Sequence, residues 1–209
     1  MNGIDKVLAP LGGKPVLAWS IEALQQSSQV DFIAVVNSEK NLEPVRCLAL
    51  ERKWNKVKEV CLGGKRRQDS VAAGLKVLGE CAWVIIHDGA RPLLTQDLIE
   101  RGLEAAQETG AAVAAVPVAD TIKLAGEDRI VIETPQRSNL WAAQTPQVFR
   151  FAIIEEAYRK LKEDVTDDAS LVEQLGFKVK LYMGSYDNIK ITTPRDLEIA
   201  ELLIKEHGK

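Results

Sequence analysis

The chain has 209 residues, 46% hydrophobic and 27% charged, with a formal net charge of -3, a size for one substantial globular domain and a balance with no global attraction for nucleic acid. Cys47, Cys61 and Cys81 are odd in number, far apart and without a CxxC, so they read as small buried hydrophobes, not as a disulfide framework or zinc cluster. No stretch approaches the roughly 18 apolar residues of a membrane span and no basic-then-apolar leader opens the sequence, which makes a cytoplasmic protein without membrane contact the expectation.

In chain order, residues 15–26 read as a helix with Pro15 at its first turn, and 31–37 as a buried strand, Phe-Ile-Ala-Val-Val at its heart. A helix over 42–54, a strand over 57–62 and a helix over 69–78 introduced by Gly63-Gly64 follow. The apolar run 82–86 is a strand that leads to a helix capped by Thr95 and ended by Gly110, and 111–118 is the next strand. This alternation predicts an α/β fold: a Rossmann-like, mostly parallel sheet with helices on both faces. After Val118 the pattern changes: 121–124 and 129–133 flank Ala-Gly-Glu-Asp, a β-hairpin expected to project as an arm over about 119–140. Helical patterns return at 150–163, 168–175 and 194–207, with short strands at 178–182 and 188–191, and no linker or repeat divides the chain, which reads as a single domain over 1–209.

The most informative segment is Ala82-Trp-Val-Ile-Ile-His-Asp-Gly-Ala-Arg-Pro92. An apolar strand there delivers an acid, a glycine and an arginine at its carboxyl end, the place where open α/β sheets hold ligands. Asp88 suits a hard divalent cation, Gly89 permits close backbone approach, and Arg91 offers a planar fork for phosphate, so the implied ligand is phosphorylated and metal-bound. The same residues on their own are also consistent with a plain turn. Lys190 lies between Ile189 and Ile191, and alternation puts it on the face opposite them. His87 closes the strand beside Asp88 with no nucleophile motif nearby and reads as structural, while His207 reads as a surface residue.

Seven segments then carry a resemblance. Lys6 before Leu-Gly-Gly-Lys-Pro-Val-Leu, Gly63-Gly-Lys-Arg-Arg-Gln-Asp-Ser-Val71, His87-Asp-Gly-Ala-Arg-Pro92, Asp120-Thr-Ile-Lys123, Arg137-Ser-Asn-Leu-Trp-Ala-Ala-Gln-Thr-Pro-Gln147, Thr166-Asp-Asp-Ala169 and Asn188-Ile-Lys-Ile-Thr192 occur in this order. In that arrangement the chain resembles the 2-C-methyl-D-erythritol 4-phosphate cytidylyltransferase family over essentially its whole length. The resemblance implies transfer of CMP from CTP to a polyol phosphate with Mg2+ and release of pyrophosphate, in the non-mevalonate route to isoprenoids. It also implies roles: Lys6 and Lys190 at the α-phosphate; Gly64, Arg67, Ser70, Asp88 and Gly89 for CTP, Asp88 also for the metal. The polyol phosphate falls to Arg91, Thr121, Arg137, Thr145 and Thr166, with Lys190 shared. In isolation Gly63-Gly64, Thr145-Pro146 and Thr166-Asp-Asp read equally well as turns and helix caps. The resemblance further implies a homodimer, joined through this arm, in which Thr121 and Arg137 complete the partner's site.

One departure stands out. The family has a strand and a Gly-rich phosphate loop ahead of the Lys6 segment, whereas this sequence opens Met1-Asn-Gly-Ile-Asp-Lys, so the expectation is a natural chain that begins upstream of Met1. Two other readings stay open on sequence: a cytidylyltransferase for another polyol phosphate such as ribitol 5-phosphate, and a non-catalytic nucleotide-binding dimer.

Overall fold

The computed structural model describes residues 5–160 and 165–206. Elements follow in chain order: β1 (Pro10–Leu11), β2 (Lys14–Pro15), α1 (Val16–Gln26), β3 (Ile33–Asn37), α2 (Glu39–Glu51), β4 (Val57–Leu62), α3 (Arg67–Leu78), β5 (Trp83–Ile86) and α4 (Gln96–Thr109). After these come β6 (Ala111–Pro117), β7 (Leu124–Ala125), β8 (Val131–Glu133), β9 (Trp141–Arg150), α5 (Phe151–Lys160), α6 (Asp168–Gln174), β10 (Lys180–Met183) and α7 (Pro194–Glu206).

Four strands in the order β10-β6-β9-β5 form the main sheet, and β3 pairs with β4 in parallel beside it. In the main sheet β10 and β6 are parallel, while β9 runs against both β6 and β5. Every strand but β9 therefore points the same way, and the carboxyl ends of β5 and β6 lie on one side. Alternation along these strands sorts the core into two layers. Val84, Val113 and Phe149 face Leu75 of α3, Ile154 of α5 and Leu171 of α6; Ala112, Ala114 and Val148 face Leu98 and Ile99 of α4. A cavity of 180 Å³ separates the main sheet from β3, lined by Ile33, Ala34, Val84, Ile85 and His87 among others.

Thr95 caps α4 by accepting the Leu98 N–H, and Gly110 ends it in the left-handed region at φ 82°, as the sequence leads one to expect. Other elements differ. Helix α2 begins three residues before the expected Leu42, with Pro44 inside it, where the missing N–H leaves the Lys40 carbonyl without its helical partner. The segment 188–191 forms no strand: a backbone bond runs from the Ile191 N–H to the Ala90 carbonyl at 2.8 Å, but its neighbour is a turn, not a ladder. Strand β9 is absent from the sequence reading, which left Thr145-Pro146 open between a turn and a ligand role and began a helix at Arg150. Proline cannot donate to a ladder, and the chain accommodates Pro146 by a bulge. Val113 opposes Gln147 and Ala115 opposes Ala143, so three residues of β9 stand against Ala114 alone. The Thr145–Pro146 bond is cis. The expected helix end at 161–163 and His207 lie outside the described residues.

Phe149 is fully buried at the centre of the first layer. Phe149→Ala is expected to lower unfolding free energy by about 3–5 kcal/mol through lost transfer energy and the cavity left behind, measured by urea denaturation. A loss under about 1 kcal/mol would mean that Phe149 is not packed at the centre of this layer.

Candidate active site

Strand β5 ends at Ile86, and the chain turns at once: the Arg91 N–H bonds to the Asp88 carbonyl at 2.9 Å. A Cβ on Gly89 would come within 2.6 Å of the Leu17 Cδ1 atom, so glycine lets this turn lie close against α1. The turn presents Asp88 to a ring of cations. Lys190 Nζ is 2.8 Å from Asp88 Oδ2, Arg91 Nε is 3.5 Å from the same oxygen, and Arg67 Nε is 3.9 Å from Oδ1. Burial favours the neutral acid, but the hydrogen bond and charge of Lys190, then the charges of Arg67 and Arg91, outweigh it and hold the Asp88 carboxyl below its ordinary value.

Each cation has its own mooring. Arg67 lies 2.6 Å from Oδ2 of the fully buried Asp168, whose other oxygen accepts from the Tyr158 hydroxyl. Burial opposes its charge, and Asp168 followed by Asp88 overcomes this and leaves the guanidinium more firmly protonated than usual. Arg91 donates from Nη1 to the Asn188 carbonyl at 2.6 Å. Asn188, itself fully buried, donates to the Thr145 carbonyl at 2.7 Å and to Gln144 Oε1 at 3.3 Å, fixing the segment that carries Lys190 against the β9 bulge. Lys190 side-chain exposure is 40%, with the fully buried Ile191 beside it, as alternation predicts even without a strand.

The CTP-assigned residues gather around a cavity of 260 Å³ lined by Arg67, Ser70, Asp88 and Gly89 together with Val36 and Gly74. Gly64 lies at its approach: its N–H donates to Ser70 Oγ at 3.2 Å, and a Cβ there would fall 2.2 Å from the Asp69 Cβ, which excludes any side chain without movement. Within the basic run 65–67 the arginines diverge, Arg66 pairing with Asp69 at the head of α3 and Arg67 turning inward to Asp168.

Thr145 is brought in from below. Its buried hydroxyl accepts the Asp88 N–H at 3.0 Å and meets His87 Nδ1 at 3.0 Å, so it faces the turn and not open solvent. The remaining expected residues are not joined to the cluster by the contacts among the described residues. Lys6 lies in a single turn over Lys6–Leu8 headed by Asp5, which pairs with Lys40. Thr121 is exposed on the hairpin, and Arg137 donates to the Ala119 carbonyl at the hairpin base. Thr166 is exposed, and the cap of α6 is Asp167, which accepts from the Ser170 N–H. Asp168, Gln144 and Asn188 were missed by sequence reasoning. The signal available for Asp168 was the acidic pair heading α6, since one carboxylate suffices for a cap.

An α/β sheet that collects a carboxylate and three cations beside a glycine-bordered cavity, at the carboxyl end of one strand, has the position and charge of a site for a phosphorylated ligand. Comparison narrows the class. The family model of 2-C-methyl-D-erythritol 4-phosphate cytidylyltransferase (IspD) matches residues 1–206, and the chain belongs to that family. A 2-C-methyl-D-erythritol 4-phosphate cytidylyltransferase of Dehalococcoides mccartyi is 52% identical over 99% of this chain and 91% of that protein, and one of Caldanaerobacter subterraneus is 47% identical over 98% and 92%. Among solved structures, the 4-diphosphocytidyl-2C-methyl-D-erythritol synthase of Anaerococcus prevotii superposes with a TM-score of 0.88 at 29% identity, covering 95% of this chain and 93% of that one. The Thermus thermophilus 2-C-methyl-D-erythritol 4-phosphate cytidylyltransferase superposes with a TM-score of 0.81 at 33% identity, covering 96% and 94%.

The half-buried His87 carries a pH signature. Enclosure lowers its pKa from 6.5 to about 4, against the raising effect of its bond to the Arg91 carbonyl and the Asp88 charge and alongside the lowering effect of the Arg91 charge. The unfolded chain therefore takes up this proton first, so the stabilisation is complete above pH 6.5 and is lost as pH falls from 6.5 towards 4. Because the side chain is only half-buried, screening by solvent limits the loss to roughly 2 kcal/mol. Urea unfolding across that window is expected to show this slope in the wild type and not in His87→Asn; equal slopes would assign the pH dependence to other groups.

Proposed function

We propose that this cytidylyltransferase joins the phosphate of 2-C-methyl-D-erythritol 4-phosphate to CMP from CTP, giving 4-diphosphocytidyl-2-C-methyl-D-erythritol and pyrophosphate. The observation that carries the reading is the ring of Arg67, Arg91 and Lys190 around Asp88 at the end of β5, in a chain of this family. Attack of a phosphate oxygen on the α-phosphorus asks little covalent chemistry of the protein. It asks that two polyanions be held together while charge builds on the equatorial oxygens. Cations moored before substrate arrives need no reorganisation at that moment.

In this reading Lys190 and Lys6 neutralise the α-phosphate, and Gly64, Arg67, Ser70 and Gly89 cradle CTP. Arg91 takes the phosphate of the second substrate, with Thr166 near its polyol and Thr145 contributing through the Asp88 turn. Asp88 would hold Mg2+, which lends positive charge to the phosphates it touches. A single carboxylate fits that ion, since Mg2+ is commonly held by one or two carboxylates plus substrate phosphate oxygens and not by a protein cage. Among the described residues no group of three or more acidic, His or Cys side chains forms such a cage.

The hairpin supports a homodimer. Leu124, Ile130, Val131 and Ile132 are all more than half exposed on β7, β8 and their turn, an apolar patch that water disfavours and a second subunit can cover. The chain then forms one nucleotidyltransferase domain whose 119–140 arm lends Thr121 and Arg137 to the partner's site.

Three outcomes are expected. The purified chain with CTP, Mg2+ and 2-C-methyl-D-erythritol 4-phosphate releases pyrophosphate, and ribitol 5-phosphate supports much slower release; the reverse order would reassign the substrate. Lys190→Ala stays folded and loses turnover by a factor on the order of 100, because one charge at the α-phosphate is gone; near-normal turnover removes Lys190 from the catalytic set. Arg137→Ala raises the KM for the polyol phosphate, and mixing it with Lys190→Ala under subunit exchange restores activity above either parent. An activity equal to the average of the two parents would place Arg137 in its own subunit's site.

A further inference from the structure

We propose that Gln144 and Asn188 are positioning residues for the reaction: together they hold the segment 185–190 in the register that sets Lys190 and Arg91 on the same oxygen of Asp88. The inference rests on the roles given to Lys190 and Arg91 above. The pairing of β10 with β6 runs out at Gly184, whose N–H donates to the Ala115 carbonyl at 2.8 Å. From there the Gln144 side chain takes over. Its Nε2 donates to the Ser185 carbonyl at 2.8 Å and its Oε1 accepts the Ser185 N–H at 3.3 Å, as the peptide of a neighbouring strand would. One orientation of the amide alone satisfies both bonds, because the carbonyl can only accept and the N–H can only donate. Oε1 accepts a second bond from Asn188 Nδ2 at 3.3 Å. Gly184 makes room for this, since a Cβ there would fall 2.5 Å from Gln144 Oε1.

Asn188 passes this anchorage to both cations. Its side chain also donates to the Thr145 carbonyl at 2.7 Å, and its N–H closes a turn onto the Ser185 carbonyl at 3.1 Å. Its own carbonyl accepts Arg91 Nη1 at 2.6 Å, and two residues further on Lys190 Nζ reaches Asp88 Oδ2, 2.8 Å away, the oxygen that Arg91 Nε approaches at 3.5 Å. The place of one buried residue therefore decides where two cations stand relative to each other. A lysine side chain is long and loses much rotamer freedom when it is held, so fixing the backbone beneath it is the means the fold has of aiming it. Neither Gln144 nor Asn188 lines the 260 Å³ cavity, so their effect on a ligand there runs through Lys190 and Arg91.

The test uses Gln144→Met, which keeps the length of the side chain and removes its three bonds. It is expected to lower kcat by about 10-fold while the KM for CTP stays within about 2-fold, the pattern of a misplaced group and not of a lost ligand. In a Lys190→Ala background the same substitution should lower kcat by less than about 2-fold more, because the amine it positions is gone. Equal losses in the two backgrounds would make the contribution merely structural and overturn the proposal, as would an unchanged kcat. Gln144→Glu, which keeps the acceptor and loses only the donor to Ser185, provides the same comparison if Gln144→Met does not fold. Hydrogen exchange without substrate reads the anchorage directly: amides of 185–191 should exchange several-fold faster in the variant than in the wild type, with those of β6 unchanged. Wild-type exchange over 185–191 in a variant without the Gln144 bonds overturns the proposal. If the wild type transfers no CMP, the functional reading fails, and the exchange comparison still decides whether Gln144 holds this segment.

Discussion

One carboxylate governs the arrangement of this site. Arg67, Arg91 and Lys190 come from α3, from the turn after β5 and from the segment before α7, and without an anion between them their mutual repulsion would favour splaying into solvent. Asp88 takes that place at 18% side-chain exposure, where screening by water is incomplete and each pairing counts for more than on an open surface. It does so at the wall of the 260 Å³ cavity that Arg67 also lines, where that guanidinium can turn from the carboxylate to an incoming polyanion with little rearrangement.

The rest of the fold supplies the rigidity this needs. A proline in β9 forces a bulge, the bulge sets Thr145 beneath Asp88, and its carbonyls and amides anchor Asn188 and thereby Lys190. The buried Asp168, held by the half-buried Tyr158, keeps Arg67 directed inward. These are polar groups paired inside the molecule, and a group of that kind is costly to leave unpaired. The local irregularities of the sheet and the geometry of the site are therefore the same feature.

Much of this was legible in the sequence because it lies on a periodic signal. The apolar run ahead of Asp88 marks a strand end, and the isoleucines on either side of Lys190 place it on the open face even though the segment makes no ladder. What escaped has no period. Strand β9 escaped because Thr145-Pro146 interrupts it, and pairing of the residues on either side of that bulge with β6, and of 147–150 with β5, is what makes the segment one strand. Gln144 and Asn188 are polar residues inside a core, and their partners are distant in sequence, so nothing local distinguishes them from surface residues, while for Asp168 the local sign was the second acid at the head of α6.

The most direct measurement is the Mg2+ dependence of cytidylyl transfer by Asp88→Asn. The substitution keeps the shape of the side chain and removes the anion that both gathers the cations and suits the metal. The account predicts a curve displaced to higher Mg2+ with a lower maximal rate, in a protein that still folds. A titration curve superimposable on that of the wild type would contradict it.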